Sequence, residues 1–148
     1  MVVWRSFDAL TPRELHDILK LRADVFVVEQ ACVFAEIDGR DPDALHLLLR
    51  QDSALPLAGA LRLFGPERDG AAIIGRVATA GFARGAGFGR ALMTEGIAEA
   101  RRRFGPVRIR IGAQARLERF YGDFGFMRIG EDYIEDGIAH CAMVLSPT

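Results

Sequence analysis

Residues 76 to 93 read RVATAGFARGAGFGRALM, where Gly85, Gly87 and Gly89 alternate with Ala86 and Phe88 between an apolar strand pattern and a helical one. Glycine at the start of a helix costs stability relative to alanine, so three of them imply that something approaches the main chain closely. First-turn N–H groups have no intrahelical partner and point outward; without a Cβ in the way they form an anion site. Arg84 and Arg90 add positive charge beside them. A ligand carrying a pyrophosphate is therefore expected along Arg84, Gly85, Ala86, Gly87, Phe88, Gly89 and Arg90. The competing reading is a turn whose glycines only let helix and strand pack closely.

Two nucleotide patterns fail here. For the dinucleotide pattern GxGxxG, the third glycine position is Arg90 counted from Gly85 and Leu92 counted from Gly87. The phosphate-binding GxxxxGK[ST] needs a lysine after its last glycine, and the chain's one lysine is Lys20.

The patterns on either side give the order of elements. Val2 to Phe7 alternates as a strand, and Thr11, Pro12 and Glu14 supply an N-cap, a first-turn proline and a capping-box carboxylate. A helix is expected from there to about Val28, on the spacing of Leu15, Ile18, Leu19, Val25 and Phe26. Residues 29 to 44 have no clean period and carry DG and DP turn signals, so a structured loop or short helix is expected. Strands follow at Leu45 to Arg50, Leu57 to Phe64 and Ala72 to Thr79, as three antiparallel neighbours. A helix from Gly87 ends at Gly105 and Pro106, with Arg101, Arg102 and Arg103 complementing the negative end of its dipole. A strand at Val107 to Ile111, a short helix at Ala115 to Phe124 and strands at Met127 to Ile134 and His140 to Leu145 complete the order.

A chain of 148 residues, half of them apolar, supports one good core, so residues 1 to 148 are expected to form a single domain. The net charge of -1 supplies no basic field for nucleic acid or an anionic membrane. Cys32 and Cys141 are far apart and lack zinc-ligand spacing, so no metal site or disulfide framework is expected. No apolar run reaches the ~20 residues that span a bilayer, and the N-terminus does not read as a signal peptide; a cytoplasmic location is expected.

Arg84, Gly87 and Gly89 also satisfy RxxGxG, the pyrophosphate pattern of GNAT-type N-acetyltransferases. AQARLERFYGDFGF at 113 to 126 resembles that family's NxxAxxLYxxxGF segment, with Phe120, Tyr121, Gly125 and Phe126 in register. The chain is most similar to the ElaA-like group, through FVVEQ at 26 to 30, CVFAEIDGRD at 32 to 41, His46, GRV at 75 to 77, GAQA at 112 to 115 and EDGIAH at 135 to 140. Gln114 departs from the wider family's Asn and Leu117 from its Ala; Val33 and Ala139 stand where the group tends to have Pro.

The resemblance implies an α+β fold: a mostly antiparallel twisted sheet of six to seven strands, splayed between strands 4 and 5 and flanked by helices. It implies acetyl-CoA as cosubstrate without a metal, and a small-molecule or peptide amine as acceptor, on a monomer or homodimer. Val77, Ala78 and Thr79 would contact the pantetheine arm, one of their N–H groups polarising the thioester, while Gln114 hydrogen-bonds the pantetheine amide and Phe120 packs at the cofactor. Tyr121 is either the proton donor to the thiolate or an aromatic packed beneath the cofactor. The general base is open among Glu29, Glu36, Asp38, His46 and His140; a lone histidine on an apolar strand such as that around His46 is more often a satisfied core residue. Glu29, Glu36, Asp38 and His140 are expected near the acceptor. A CoA-binding module with a sensing or scaffolding role is the rival to an enzyme.

Overall fold

The computed structural model describes residues 1–147. Thr11 and Glu14 close the capping box of helix α1, Pro12–Arg22: the Glu14 N–H donates to Thr11 Oγ1 at 3.0 Å and the Thr11 N–H to Glu14 Oε1 at 2.9 Å. Past Arg22 the chain stays helical but widens into a π-helical segment, Ala23–Glu29. The expected single helix to Val28 is thus two windings, and the spacing of Val25 and Phe26 suits both.

The strands are β1 (Val2–Ser6), β2 (Leu45–Leu49), β3 (Gly59–Phe64), β4 (Ala72–Thr79), β5 (Ile109–Gln114), β6 (Met127–Glu135) and β7 (Ile138–Leu145). They form one seven-stranded sheet in the order β1-β2-β3-β4-β5-β7-β6. Helix α2 (Phe88–Phe104) links β4 to β5, and the short α3 (Glu118–Gly122) links β5 to β6. Both faces are covered over β2, β3 and the end of β4. Leu47, Leu61, Leu63 and Ile74 pack with Leu92 and Met93 of α2, whereas Leu48, Ala60 and Ala78 pack with Ile18, Leu21 and Val25. This double cover explains why LHLLL of β2 reads as an apolar run rather than an alternation.

Two irregularities shape the middle of the sheet. The pair β4–β5 is its only parallel one among the described residues, and it ends after Ala72↔Ile109 and Ile73↔Arg110. From Ile74 onward the strands diverge, which is the expected splay between strands 4 and 5. The second irregularity is a bulge: Ala60 faces Ala78 but Arg62 faces Gly75, so Leu61 opposes both Arg76 and Val77. Arg76 takes φ +49°, a left-handed conformation that costs a non-glycine residue about 1–3 kcal/mol. The bulge lets Gly75, Arg76 and Val77 all line the gap, which strict strand alternation forbids.

Among the described residues no helix is long and apolar enough to cross a membrane, and no group of three or more His, Cys, Asp and Glu could hold a metal ion.

Candidate active site

The splay opens a cleft of about 1160 Å³. At one end lies the glycine turn. Gly87 is the N-cap of α2 at φ +82°, no side chain caps the helix, and the first intrahelical bond is from Ala91 N–H to the Gly87 carbonyl. The N–H groups of Phe88, Gly89 and Arg90 are therefore left for a ligand. A Cβ at Gly85 or Gly87 would meet nothing within 4 Å, so open space adjoins both. Gly85, Gly87, Phe88, Gly89 and Arg90 line the cleft; Ala86 is exposed and does not. The residues present fit a pyrophosphate.

Arg84 is already engaged. Both oxygens of Glu29 accept from its guanidinium, one of them at 2.8 Å, and Arg84 Nη2 also donates to the Thr79 carbonyl at 3.0 Å. The hydrogen bond from Arg84 lowers the Glu29 pKa. Val77 and Thr79 line the cleft, but Ala78 is buried in the core on the α1 face.

On the opposite wall Tyr121 is almost fully buried, packed edge-on against Phe120 at 5.1 Å and Phe126 at 6.2 Å between ring centroids. It lines the cleft, and its hydroxyl has no hydrogen-bond partner among the described residues. Burial pushes its pKa up to about 12, against a smaller opposing effect of Arg116. It is a neutral donor throughout the working pH range. Gln114 donates to Gln30 Oε1 and accepts from Arg116 Nε, each at 3.2 Å, tying the end of β5 to the residue after the π-helical segment.

The acidic loop differs most from expectation. Glu36 accepts from Arg22 Nε at 3.1 Å and from Arg76 Nε at 2.6 Å, and it is buried. Asp38 accepts from both terminal nitrogens of Arg62, at 3.0 and 2.6 Å. Asp41 accepts from Arg22 at 2.7 Å and Arg62 at 2.9 Å. Burial raises the pKa of Asp41, but the bonds and charges of Arg22 and Arg62 outweigh it and hold the carboxyl below the usual range. Glu36 therefore belongs to the scaffold, and it does not line the cleft.

His46 also lies outside the cleft. It is buried on β2 with Nε2 2.9 Å from the Asp41 carbonyl, and burial lowers its pKa despite that bond. The low dielectric and the lack of access leave it a packing histidine, the reading its apolar strand favoured. His140 does line the cleft. Its Nδ1 sits 2.7 Å from the Ile138 carbonyl, which can only accept, so Nδ1 carries the proton and Nε2 is the free nitrogen. Nε2 stands 3.8 Å from Glu135 Oε2, and the ring stacks on Tyr133.

Sequence reasoning missed Arg76, Arg62, Phe34, Glu135 and Asp136, which also line the cleft. Arg76 left a trace: it is the one charge in the apolar strand AIIGRVAT. Phe34, Glu135 and Asp136 lie inside the stretches CVFAEIDGRD and EDGIAH, whereas Arg62 owes its place to long-range pairing.

Comparison with known proteins agrees with this geometry. The family described as the acetyltransferase (GNAT) domain matches residues 15–147. Protein ElaA of Escherichia coli is 35% identical over 147 residues, covering 97% of this chain and 95% of ElaA. A UPF0039 protein of Synechocystis is 36% identical over 141 residues, covering 95% and 92%. The crystal structure of an acyl-CoA N-acyltransferase from Pseudomonas aeruginosa superposes with a TM-score of 0.93 at 38% identity, and that of Escherichia coli ElaA with 0.91 at 32%; each covers 99% of both chains. The fold with its splayed β4–β5 pair is thus shared with an acyl-CoA N-acyltransferase, and the chain belongs to the GNAT acetyltransferase family. Within that family it is one of the ElaA-like proteins.

Proposed function

We propose that this protein is an acetyl-CoA-dependent N-acetyltransferase acting on a primary amine. The observation that carries the reading is one cleft holding both an uncapped glycine turn and the unpartnered hydroxyl of Tyr121. Acetyl-CoA supplies an acetyl group activated as a thioester. The N–H groups of Phe88, Gly89 and Arg90, with Arg84, would hold its pyrophosphate, and Val77 and Thr79 would flank its pantetheine arm.

Transfer forms an N–C bond, breaks a C–S bond, and moves one proton off the amine and one onto sulfur. His140 Nε2 is the acceptor for the first proton, because Ile138 fixes the tautomer that leaves that nitrogen free in the cleft. Tyr121 donates to the sulfur. Glu29, paired to Arg84 at the cofactor end, serves in neither step.

Acetyl-CoA at about 100 times its dissociation constant is expected to stabilise the fold by ~2.7 kcal/mol. Gly89→Val tests the assignment cleanly. A Cβ there stands 3.6 Å from Phe120 and 3.7 Å from Thr79, ordinary contacts, so the fold survives while the added methyls fill the anion cradle. Gly87→Val is a poorer test, since φ +82° strains any side chain regardless of space. The melting shift with acetyl-CoA is expected to disappear in Gly89→Val; an equal shift in both proteins places the cofactor elsewhere.

Glu29→Gln is expected to tighten CoA binding. The charge of Glu29 holds Arg84 away from a bound pyrophosphate, and the pair is half exposed, so its release is worth up to about fivefold in affinity. Calorimetric titration of CoA into both proteins measures this. Weaker binding by the variant would mean that Glu29 positions Arg84 for the ligand instead.

A further inference from the structure

The carboxylates of the acidic loop are already taken: Asp38, which lines the cleft, is held by both terminal nitrogens of Arg62, and Glu36 does not reach the cleft. Glu36, Asp38 and Asp41 are taken up by Arg22, Arg62 and Arg76, which balance them charge for charge. Arg76 keeps free donors in the cleft, as does Arg40, which is bound through Nη2 to Glu67 and lies over the Phe64 ring. The Nε of Arg76 is bound to Glu36, its Nη2 stands 3.7 Å from Asp38 Oδ2, beyond hydrogen-bond distance, and neither of its terminal nitrogens has a hydrogen-bond partner among the described residues. The Arg76 guanidinium lies over the Phe34 ring at 5.5 Å, with Arg62, whose buried Nε has no partner, on the neighbouring strand.

We propose that the acceptor carries a carboxylate beside its amine, and that Arg76 binds that carboxylate. This rests on the acetyltransferase reading above and narrows its substrate to amino acids with a free acid group. Two parallel terminal nitrogens match the two oxygens of a carboxylate. The balance of three arginines against three carboxylates accommodates a monoanion better than a phosphate dianion, whose excess charge would be twice as large in a partly buried site. Placement agrees: Arg76 directly precedes Val77, at the wall assigned to the pantetheine arm, so acid and amine are held a few bonds apart. Across the cleft Glu135 and His140 receive the amine end. Arg76 also holds a left-handed backbone that glycine would adopt without strain, and strained non-glycine residues gather at ligand sites.

The test is thiol release from acetyl-CoA by the full chain, measured with the common L-amino acids, their amides and their decarboxylated amines. At least one free acid is expected to exceed its own amide by about tenfold or more in kcat/KM, with the difference in KM. In Arg76→Gln that acid-to-amide ratio falls to within about threefold, and Arg76→Lys, which keeps the charge without the fork, restores only part of it. The comparison on the unchanged protein stands even if a variant misfolds, and melting curves identify that case. Amides or decarboxylated amines working as well as the acids, or an unaltered ratio in a folded Arg76→Gln, overturns the carboxylate site and leaves the transferase intact. Release with none of the compounds overturns the transferase reading and this inference together.

Discussion

Tyr121→Phe is expected to lower turnover about 100-fold while leaving the affinity for acetyl-CoA nearly unchanged. A general acid contributes ~100-fold to 10,000-fold, most when its pKa lies near the working pH. Burial pushes Tyr121 up to about 12, well above a departing thiol, so it acts as a hydrogen-bond donor to growing charge and the low end applies, ~2.7 kcal/mol. The ring survives the substitution and so do its edge contacts to Phe120 and Phe126. A packing role predicts the reverse: little loss of turnover, with any loss accompanied by weaker cofactor binding or a lower melting temperature. Turnover at saturating acceptor, CoA affinity and melting temperature on one preparation separate the two. A fall of less than about threefold, under ~1 kcal/mol, makes Tyr121 structural.

Arg22→Met is expected to cost about 3 kcal/mol of stability, a drop in melting temperature on the order of 10 °C for a domain of this size. Only 2% of the Arg22 side chain is exposed, against 8% and 6% for Glu36 and Asp41. Removing it strands two carboxylates away from water, each left with one arginine instead of two. Lys20 and Asp24 lie equally close, at 2.7 Å, but with 67% and 55% of their side chains exposed. Lys20→Ala is therefore expected to melt with the parent: burial, not distance, decides the cost. The same network sets the acid response. Asp38 and Asp41 have lowered pKa values, so their contribution is present above the ordinary carboxylate range, near ~4, and is lost as pH falls through their folded values. Arg22→Met removes part of what lowers Asp41 and should acid-unfold at a higher pH than the parent. Equal melting temperatures and equal acid midpoints would mean that water relieves the two carboxylates.

What could be read in the sequence follows the range of the interactions involved. The capping box of α1, the strand at Ala72–Thr79 and the start of α2 after Gly87 rest on contacts within one turn or one pleat, and they fall where their patterns put them. The π-helical winding of Ala23–Glu29 left no signal, since its apolar residues keep a spacing that either winding satisfies. The arginine run held one surprise of the same kind: Arg102 and Arg103 both reach back to Glu99, three and four residues earlier, so the run is tied down as well as solvated. The loop at 29 to 44 was legible as a loop, but not its charge. Its acids meet Arg62 and Arg76, between 21 and 40 residues away, and that distance in sequence hid the arginines that pair with them. The glycine turn was legible because glycine's missing Cβ is itself the signal. His140 was legible only as a candidate, until Ile138 fixed which of its nitrogens is free.

The central claim is that this cleft transfers an acetyl group to nitrogen. Mass spectrometry of an amine panel incubated with acetyl-CoA and the protein tests it most directly, with released thiol measured in the same reactions. An acetyl increment on nitrogen, equal in amount to the thiol released and sharply reduced with Tyr121→Phe, is the predicted result. Tight binding of acetyl-CoA with neither acetylated amine nor released thiol contradicts it, and would make the protein a CoA-binding module.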